Sequence, residues 1–349
     1  MRPKHQHPFM SVKKIDTAAF LECGGKIPIL DVRSPGEYVQ GHIPGATSFP
    51  LFTNEERAQV GTRYKQIGKD AAFVLGLEYV GPKMAGFVKQ ASKLAPDKQI
   101  AVHCWRGGQR SGSMAWLLQS AGFEVTLLSG GYKVYRQFVL EGFAQTNLNI
   151  RVVGGSTGTG KTKIIHALAA LGEQIIDLEG LANHKGSAFG FIGEAAQPTV
   201  EQFENELFKV VSQLDPTRRV WVENESRSIG RLYIPAGFWE PMKAAPLFHI
   251  EIPLQARIDN LLTDYVLEHT EELKLAFNKI ATKLGGLRLK NAIEALDQGD
   301  FAAAATIALE YYDKTYQFCL DNSKSSDIQI MKFEDGDPEK IAKALISTI

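Results

Sequence analysis

Short apolar runs alternate with amphipathic segments along the first half of the chain. This alternation is typical of parallel α/β units, in which buried strands are covered by helices. We therefore predict a parallel-sheet domain here. The predicted strands span residues 27–32, 99–104 and 124–128, and the predicted helices span 84–94, 111–121 and 132–141.

A second α/β series begins after residues 142–149, where the periodicity breaks. It opens with a strand at 150–153, a glycine-rich loop at 154–160 and a helix at 161–171. Further strands are predicted at 174–177, 220–223 and 247–252, and further helices at 199–214, 254–267, 287–296, 301–316 and 338–347. The pattern predicts two domains, 1–145 and 146–349, the second with a mostly helical C-terminal part.

Composition agrees with two domains of a globular protein. The 349 residues exceed what one core usually organises, and 44% are hydrophobic and 22% charged. No window approaches the roughly 18 uninterrupted apolar residues of a membrane span, and the N-terminus lacks the apolar centre of a signal peptide. We therefore expect a cytoplasmic protein without a membrane partner.

Net charge gives no sign of a nucleic-acid partner, because 39 Lys and Arg balance 39 Asp and Glu. An RNA site would have to be a local patch. One candidate is the segment 273–293, which contains five basic residues and no acidic one: Lys274, Lys279, Lys283, Arg288 and Lys290. A solvated helix face explains the same charges equally well.

Cys104 follows an apolar run and precedes a glycine-rich turn and a helical pattern. Backbone N–H groups and the positive end of a helix dipole in such a turn favour a thiolate and a bound oxyanion. We predict that Cys104 is a nucleophile rather than a buried small hydrophobe. The predicted anion-binding residues of this loop are Trp105, Arg106, Gly107, Gly108, Gln109 and Arg110.

The segment ILDVRSPGEYVQGHIPGATSFP, residues 29–50, resembles the signature of the rhodanese family. The resemblance implies a rhodanese-like domain in which five residues of this segment support the cysteine loop and do not take part in catalysis. Those residues are Asp31, Arg33, Glu37, His42 and Pro44. The loop reads C-x5-R, one residue longer than the common sulfurtransferase loop and similar to rhodanese-like phosphatases. A cysteine phosphatase with a regulatory nucleotide domain is therefore an alternative.

The segment VVGGSTGTGKT lies between an apolar strand and a helix and contains G-x-x-x-x-G-K-T. This context predicts a P-loop NTPase-like domain that binds phosphate through Gly155, Gly158, Gly160, Lys161 and Thr162. Thr162 could hold Mg²⁺.

Glu223 and Glu225 end a predicted strand, where they could reach such a metal through water or remain solvated carboxylates. The sequence offers no firm metal-ligand set beyond this.

The order of the two domains is more specific than either domain alone. The cysteine loop is followed by GGYKVYR at 130–136 and then by the P-loop, and the combination resembles the tRNA 2-selenouridine synthase family. The resemblance covers about residues 15–265. It continues through NHKGSAFG at 183–190, QPTVEQFEN at 197–205 and VENESRSIG at 222–230.

The resemblance implies conversion of wobble 2-thiouridine in tRNA to 2-selenouridine through a geranylated intermediate. Geranyl diphosphate and selenophosphate would be co-substrates, and no tightly bound cofactor is expected. We expect geranyl diphosphate near the P-loop, and Cys104 to accept selenium from selenophosphate. An ATP-driven tRNA sulfurtransferase is a further alternative.

Three basic residues of the family-like segments are candidate contacts for tRNA phosphates or the diphosphate: Lys185, Arg227 and Arg231. Surface ion pairing would explain these residues as well.

Overall fold

The computed structural model describes residues 12–264, 269–321, 325 and 327–348. The chain divides into two compact units, Met1–Glu141 and Gly142–Ile349. Each contains a five-stranded sheet in which all neighbouring strands are parallel. The predicted class, two successive parallel α/β domains, is confirmed.

The sheet of the first unit has the strand order β1-β5-β4-β2-β3. Its strands are β1 Lys13–Ile15, β2 Ile29–Asp31, β3 Thr47–Ser48, β4 Gln99–His103 and β5 Glu124–Leu128. The helices that begin in this unit are α1 Thr17–Gly24, α2 Pro35–Gln40, α3 Asn54–Gln66, α4 Lys69–Val80, α5 Met84–Leu94, α6 Gln109–Ser120 and α7 Gly131–Gln145. Because β4 is internal, the residues that follow it emerge at the middle of the sheet edge, as open α/β sites do.

Helices α3 and α4 were not predicted from the sequence. Helix α3 has no fully buried residue, and its apolar positions, such as Val60 and Tyr64, are too few among polar ones for periodicity to predict a helix. The sequence feature that could have predicted its start is a capping box formed by Thr53 and Glu56. Glu56 N donates to Thr53 Oγ1 at 3.2 Å, and Thr53 N donates to Glu56 Oε2 at 2.9 Å.

The sheet of the second unit has the order β12-β11-β6-β8-β7. Its strands are β6 Asn149–Gly154, β7 Gln174–Ile176, β8 Arg219–Glu223, β11 Leu247–Glu251 and β12 Ile328–Lys332, and a small antiparallel hairpin is formed by β9 Ser228–Ile229 and β10 Leu232–Tyr233. The C-terminal part is mostly helical, as predicted, but it also contains strand β12, which was not predicted. Its alternating half-buried pattern is short, and pairing with β11 is a contact that local periodicity does not reveal.

The helices after β6 are α8 Lys161–Ala170, α9 Leu178–Ala182, α10 Val200–Ser212, α11 Ala236–Ala244, α12 Leu254–Asp264, α13 Thr270–Lys279, α14 Ala281–Leu284, α15 Gly286–Asp297, α16 Phe301–Asp321 and α17 Pro338–Ser347. The end of the predicted helix 254–267 lies outside the described residues. Helices α13, α15 and α16 share an apolar core of their own that includes Phe189, Phe277 and Leu296.

One helical run, Lys69–Leu94, is long and apolar enough to cross a membrane by length and composition alone, with a mean hydropathy of 1.2. It consists of α4, a 3-10 turn at Gly81–Lys83 and α5. Only 11% of its most apolar window is buried within the protein. On α4, the large apolar side chains that are exposed are Phe73, Val74 and Leu77.

A buried ion pair follows strand β2. Arg33 Nε donates to Asp31 Oδ1 at 2.9 Å, Arg33 Nη2 donates to Gly41 O at 2.7 Å, and the guanidinium lies 3.7 Å from the ring centroid of Tyr132. Burial alone would raise the pKa of Asp31, but His103 and Arg33 lower it below its ordinary value. The pair thus ties β2 to the following helix and to α7.

We predict that Arg33→Ala lowers the free energy of unfolding by about 3 to 5 kcal/mol, because it leaves the Asp31 carboxylate buried without its partner. Urea unfolding of the full chain measures the change. Arg63→Ala, on the exposed surface of α3, is the matched control and should change little. A loss below about 1 kcal/mol for Arg33→Ala would contradict this role.

Candidate functional site

Cys104 lies immediately after β4, and its side chain is 3% exposed. Its Sγ lies 3.2 Å from Oγ of Ser111, in the first turn of α6, and the two atoms share a hydrogen bond. The Ser111 hydroxyl also lies 3.3 Å from Gly108 O, to which it can donate. Ser111 was missed as a site residue, although its position at the predicted helix start was visible.

The start of α7 holds the cysteine loop by main-chain contacts. Tyr132 N donates to Cys104 O at 2.8 Å, and Lys133 N donates to Trp105 O at 2.9 Å. Gly131 has φ +63°, and a Cβ there would lie 2.4 Å from both Cys104 O and Gly107 N. The family-like segment 130–136 therefore supports the loop through backbone that has no room for a side chain.

Arg110 forms two hydrogen bonds with Glu37, at 2.6 Å from Nη1 and 3.1 Å from Nη2. Burial alone would raise the pKa of Glu37, but the hydrogen bonds and charge of Arg110 hold it at about 2. The pair is therefore ionised at neutral pH. Anion binding by Arg110 stays a prediction, and an anion would have to share the guanidinium with Glu37.

A cavity of about 640 Å³ opens beside Cys104. Of the predicted loop residues, five line it together with Cys104: Trp105, Arg106, Gly108, Gln109 and Arg110. Gly107 does not; it has φ +63°, and a Cβ there would lie 2.8 Å from Leu128 O. Among the described residues that line the cavity, none is Asp, Glu or His.

In the second unit, the P-loop joins β6 to α8 as predicted. Gly155, Gly158 and Gly160 have φ of +156°, +82° and +79°, and Gly160 is the N-cap of α8. Lys161 Nζ donates to Gly155 O at 3.3 Å, across the loop. The loop has the strand–turn–helix setting in which backbone N–H groups bind phosphate.

Acidic residues surround Lys161. Thr162 Oγ1 donates to Glu179 Oε2 at 2.7 Å, so the hydroxyl predicted to hold Mg²⁺ contacts a carboxylate that sequence analysis missed. Burial and then Asp177 and Glu179 raise the pKa of Glu223 well above its usual range. Burial and then Glu179 raise the pKa of Glu225 to about 8.

These carboxyls change the pKa of Lys161. Burial alone would lower the pKa of Lys161, but the surrounding groups, Glu225 first, raise it above its ordinary value. Glu223 accepts hydrogen bonds from the N–H groups of Leu178 and Glu179, at 3.3 and 3.4 Å, and so faces the start of α9. Glu225, by contrast, lines the P-loop cavity.

Residues of helices α12 and α16 form hydrogen bonds with the P-loop. Arg257 Nε donates to Thr157 O at 2.9 Å, and Asn260 Nδ2 donates to Gly158 O at 3.0 Å. Gly155 N donates to Tyr316 Oη at 2.8 Å. Arg257 is itself fixed by two hydrogen bonds to Asp313. No local motif marks these residues, which lie about 100 or more positions from the loop in sequence.

The cavity over the P-loop has a volume of about 670 Å³. Lys185, a candidate tRNA contact, lines it and pairs with Glu194 at 3.1 Å. Arg231 Nη2 instead donates to Gln197 O at 2.8 Å, and Arg227 is exposed at the start of the β9–β10 hairpin. In the part of the chain that the structure describes, no three His, Cys, Asp or Glu side chains form a metal-holding cluster.

The basic segment 273–293 spans α13, α14 and α15. Its lack of internal acidic residues does not leave it unpaired, because neighbouring elements supply them. Lys274 contacts Asp297 at 2.7 Å, Arg288 contacts Glu310 at 3.8 Å, and Lys279 Nζ lies 3.9 Å from the ring centroid of Phe191. Lys279, Lys283 and Arg288 remain exposed, so their contact with tRNA stays a prediction.

Both units resemble known proteins. A model of the tRNA 2-selenouridine synthase AAA domain matches residues 148–347, and a model of the rhodanese-like domain matches 16–137. A tRNA 2-selenouridine synthase of Bdellovibrio bacteriovorus is 37% identical over 79% of this chain and 81% of its own. One of Chromohalobacter salexigens is 33% identical over 88% of this chain and 92% of its own.

Among solved structures, the N-terminal domain of a protein assigned to ATP/GTP binding from Clostridium difficile 630 is 45% identical to this chain. It covers 37% of this chain and 99% of its own, with a TM-score of 0.35.

The raised pKa of Glu225 predicts a pH-dependent stability. Between about pH 4.5 and 8 the unfolded chain ionises this carboxyl while the folded protein keeps its proton, so the ligand-free fold loses stability as pH rises. Urea unfolding at pH 5.5 and 8 should show this loss, and Glu225→Gln should reduce it. Glu334→Gln, at an exposed position, is the control. An unchanged pH slope in Glu225→Gln would contradict the assignment.

Proposed function

The chain belongs to the tRNA 2-selenouridine synthase family of selenium-transferring enzymes, and we propose that it converts wobble 2-thiouridine of tRNA to 2-selenouridine in two steps. The observation that carries this proposal is that each unit has a glycine-rich loop between a strand and a helix, lining a cavity of its own, and that one loop contains a cysteine and the other does not. Two phosphate-bearing donors need two such loops with different chemistry.

In the first step, the sulfur of 2-thiouridine attacks C1 of geranyl diphosphate. The C1–O bond breaks, diphosphate leaves, and the base loses its N3 proton. The P-loop supports this step, because its backbone donors and Lys161 can stabilise the charge of the departing diphosphate. Thr162 and Glu225 are the residues that would hold a Mg²⁺ on that diphosphate, Glu225 through water.

In the second step, selenium from selenophosphate replaces the geranylthio group. The C2–Se bond forms, the C2–S bond breaks with geranylthiol as the leaving group, and water takes the phosphoryl group as phosphate. Cys104 supports this step as its nucleophile. Its thiolate takes the phosphoryl group from selenophosphate, so the P–Se bond breaks and hydrogen selenide is released to attack C2, and water then hydrolyses the S–P bond on the cysteine. Ser111 Oγ lies 3.2 Å from Cys104 Sγ, and Arg106 and Arg110 line the same cavity as Cys104.

The cysteine phosphatase alternative is less well supported. A phosphatase needs a general acid for its leaving group. The described residues that line the Cys104 cavity include no carboxyl and no imidazole. ATP-driven sulfur transfer to tRNA differs in product and can be separated by nucleoside analysis.

If the P-loop serves geranylation and the cysteine loop serves selenium transfer, a variant of each loop should stop the reaction at a different step. With tRNA bearing 2-thiouridine, Cys104→Ser should accumulate the geranylated nucleoside, because a hydroxyl is a far weaker nucleophile than a thiolate. Lys161→Ala should slow geranylation by about 100-fold or more, yet still convert tRNA that is supplied already geranylated. Mass spectrometry of nucleosides measures both.

Cys23→Ser serves as the control for the cysteine, since Cys23 is half-buried on α1. Circular dichroism must show that Lys161→Ala is folded. If Lys161→Ala geranylates normally, or if both variants stop at 2-thiouridine, the two loops do not act on separate steps. If the protein instead forms 2-thiouridine from unmodified tRNA, ATP and a sulfur donor, it is a sulfurtransferase.

We also propose that the exposed basic residues of 273–293 contact tRNA phosphates. Replacing Lys279, Lys283 and Arg288 by Gln should weaken tRNA binding and flatten its dependence on salt, because fewer counterions are displaced. Filter binding at several salt concentrations measures this. The matched control replaces Lys332, Lys340 and Lys343, which are also exposed and ion-paired. Equal effects of the two triple variants would exclude a specific patch.

A further inference from the structure

The cavity beside Cys104 has a wall that the chemistry of the cysteine loop does not explain. Helices α3 and α4 each turn one face toward it, at positions 57, 60, 61 and 64 of α3 and 69, 72, 73, 76, 77 and 80 of α4. These spacings of three and four residues are those of a single helix face. The apolar residues on the two faces are Val60, Tyr64, Ala72, Phe73, Leu77 and Val80.

Much of this wall is open to solvent. Phe73 is 46% exposed, Leu77 is 54% exposed and Tyr64 is 57% exposed. Large apolar side chains grouped around a concave site beside a nucleophile mark a binding surface more often than a packing defect. The cavity volume of about 640 Å³ lies within the usual range for small-molecule sites.

Two glycines inside these helices indicate that the space is kept open. Gly61 of α3 and Gly76 of α4 both line the cavity. Glycine inside a helix is less favourable than alanine. A Cβ at Gly61 would meet no atom within 4 Å, and one at Gly76 would lie 3.4 Å from Phe52 Cζ, an ordinary contact. Packing within the protein therefore requires neither glycine, whereas a ligand against the helices would.

The charges around the cavity have one sign. Five basic residues line it: Arg57, Lys65, Lys69, Arg106 and Arg110. Glu37 contacts two of them, Arg110 closely and Arg57 at 3.8 Å, but is not part of the lining. An apolar wall with a basic surround fits an apolar chain that is attached to a polyanion.

We infer that the α3–α4 face of the Cys104 cavity binds the prenyl chain carried by the modified base of tRNA during the selenium step, with the basic residues near the nucleic-acid phosphates. The inference rests on the proposed two-step function, in which the leaving group at Cys104 carries a ten-carbon chain. Each methylene buried against the wall strengthens binding, so the wall selects the geranylated base over the unmodified one.

The test compares two nucleosides, S-geranyl-2-thiouridine and S-methyl-2-thiouridine, by isothermal titration calorimetry with the full chain. The wild type should bind the geranyl compound at least about tenfold more tightly, with a more negative heat-capacity change from apolar burial. Gly61→Leu fills the cavity, so it should raise the geranyl Kd by at least about tenfold and leave the methyl Kd within about twofold. Its melting temperature should not fall, because leucine favours the helix.

Gly86→Leu is the matched control: Gly86 is an exposed glycine inside α5, a Cβ there would meet no atom within 4 Å, and it does not line the cavity. It should leave both Kd values unchanged. The inference is overturned if the wild type shows no preference for the geranyl compound, or if Gly61→Leu and Gly86→Leu behave alike. It is also overturned if Phe73→Gln abolishes binding to phosphatidylcholine vesicles while both nucleosides bind normally, since the face would then contact lipid.

Turnover of geranylated tRNA is measured separately in the same variants. If the wild type binds the geranyl nucleoside preferentially but forms no 2-selenouridine, the proposed function fails and the binding site stands. If the wild type forms 2-selenouridine and Gly61→Leu retains the geranyl preference, the proposed function stands and the binding site is wrong.

Discussion

Main chain packs against main chain at the cysteine loop and at the P-loop more closely than a Cβ allows. At the cysteine loop, a side chain on Gly131 would collide with Cys104 O and Gly107 N. At the P-loop, a side chain on Gly158 would lie 2.8 Å from Arg257 O. With a larger residue at either glycine, the cysteine loop could not lie this close to the start of α7, and the P-loop could not lie this close to α12. The position of Cys104 at the end of β4, and that of Lys161 at the start of α8, follows from this constraint.

The two loops lie in opposite electrostatic surroundings. The Cys104 cavity is lined by five basic residues, and Glu37, the carboxylate that contacts Arg110, is ionised at neutral pH. Such a site attracts anions without needing a metal. The P-loop cavity instead brings Lys161 together with Glu225, whose pKa is raised by burial and by the neighbouring Glu179, so that the acidic groups of this cavity are crowded. A cation and a diphosphate arriving together would relieve that crowding, and this difference suits two donors of different chemistry.

Helices α3 and α4 add a property that neither loop has. A cysteine loop with a basic surround alone would select small anions. The apolar wall next to it gives the same cavity affinity for a hydrocarbon chain, and the glycines on both helices keep the wall accessible. Selection for the alkylated base at this cavity would keep the selenium step from acting on a base that carries no leaving group.

The sequence alone determined the class of both domains, the positions of most of their longer strands along the chain, the cysteine loop and the P-loop. Strand periodicity and glycine spacing are local properties, so each could be recognised without knowing the fold. Helix α3 and strand β12 were not predicted. Helix α3 has too few apolar residues to show a helical period, and strand β12 is defined by its pairing with β11.

Only the tertiary structure decided which side chains act on the two loops. Glu37 meets Arg110 across 73 residues, Glu179 meets Thr162 across 17, and Tyr316 meets Gly155 across 161. It also showed that some basic residues of segment 273–293 form ion pairs with acidic residues outside the segment, and that helices α3 and α4 together form the apolar wall beside Cys104. Contacts between distant segments depend on how the sheets and helices pack, and no local pattern of residues encodes that packing.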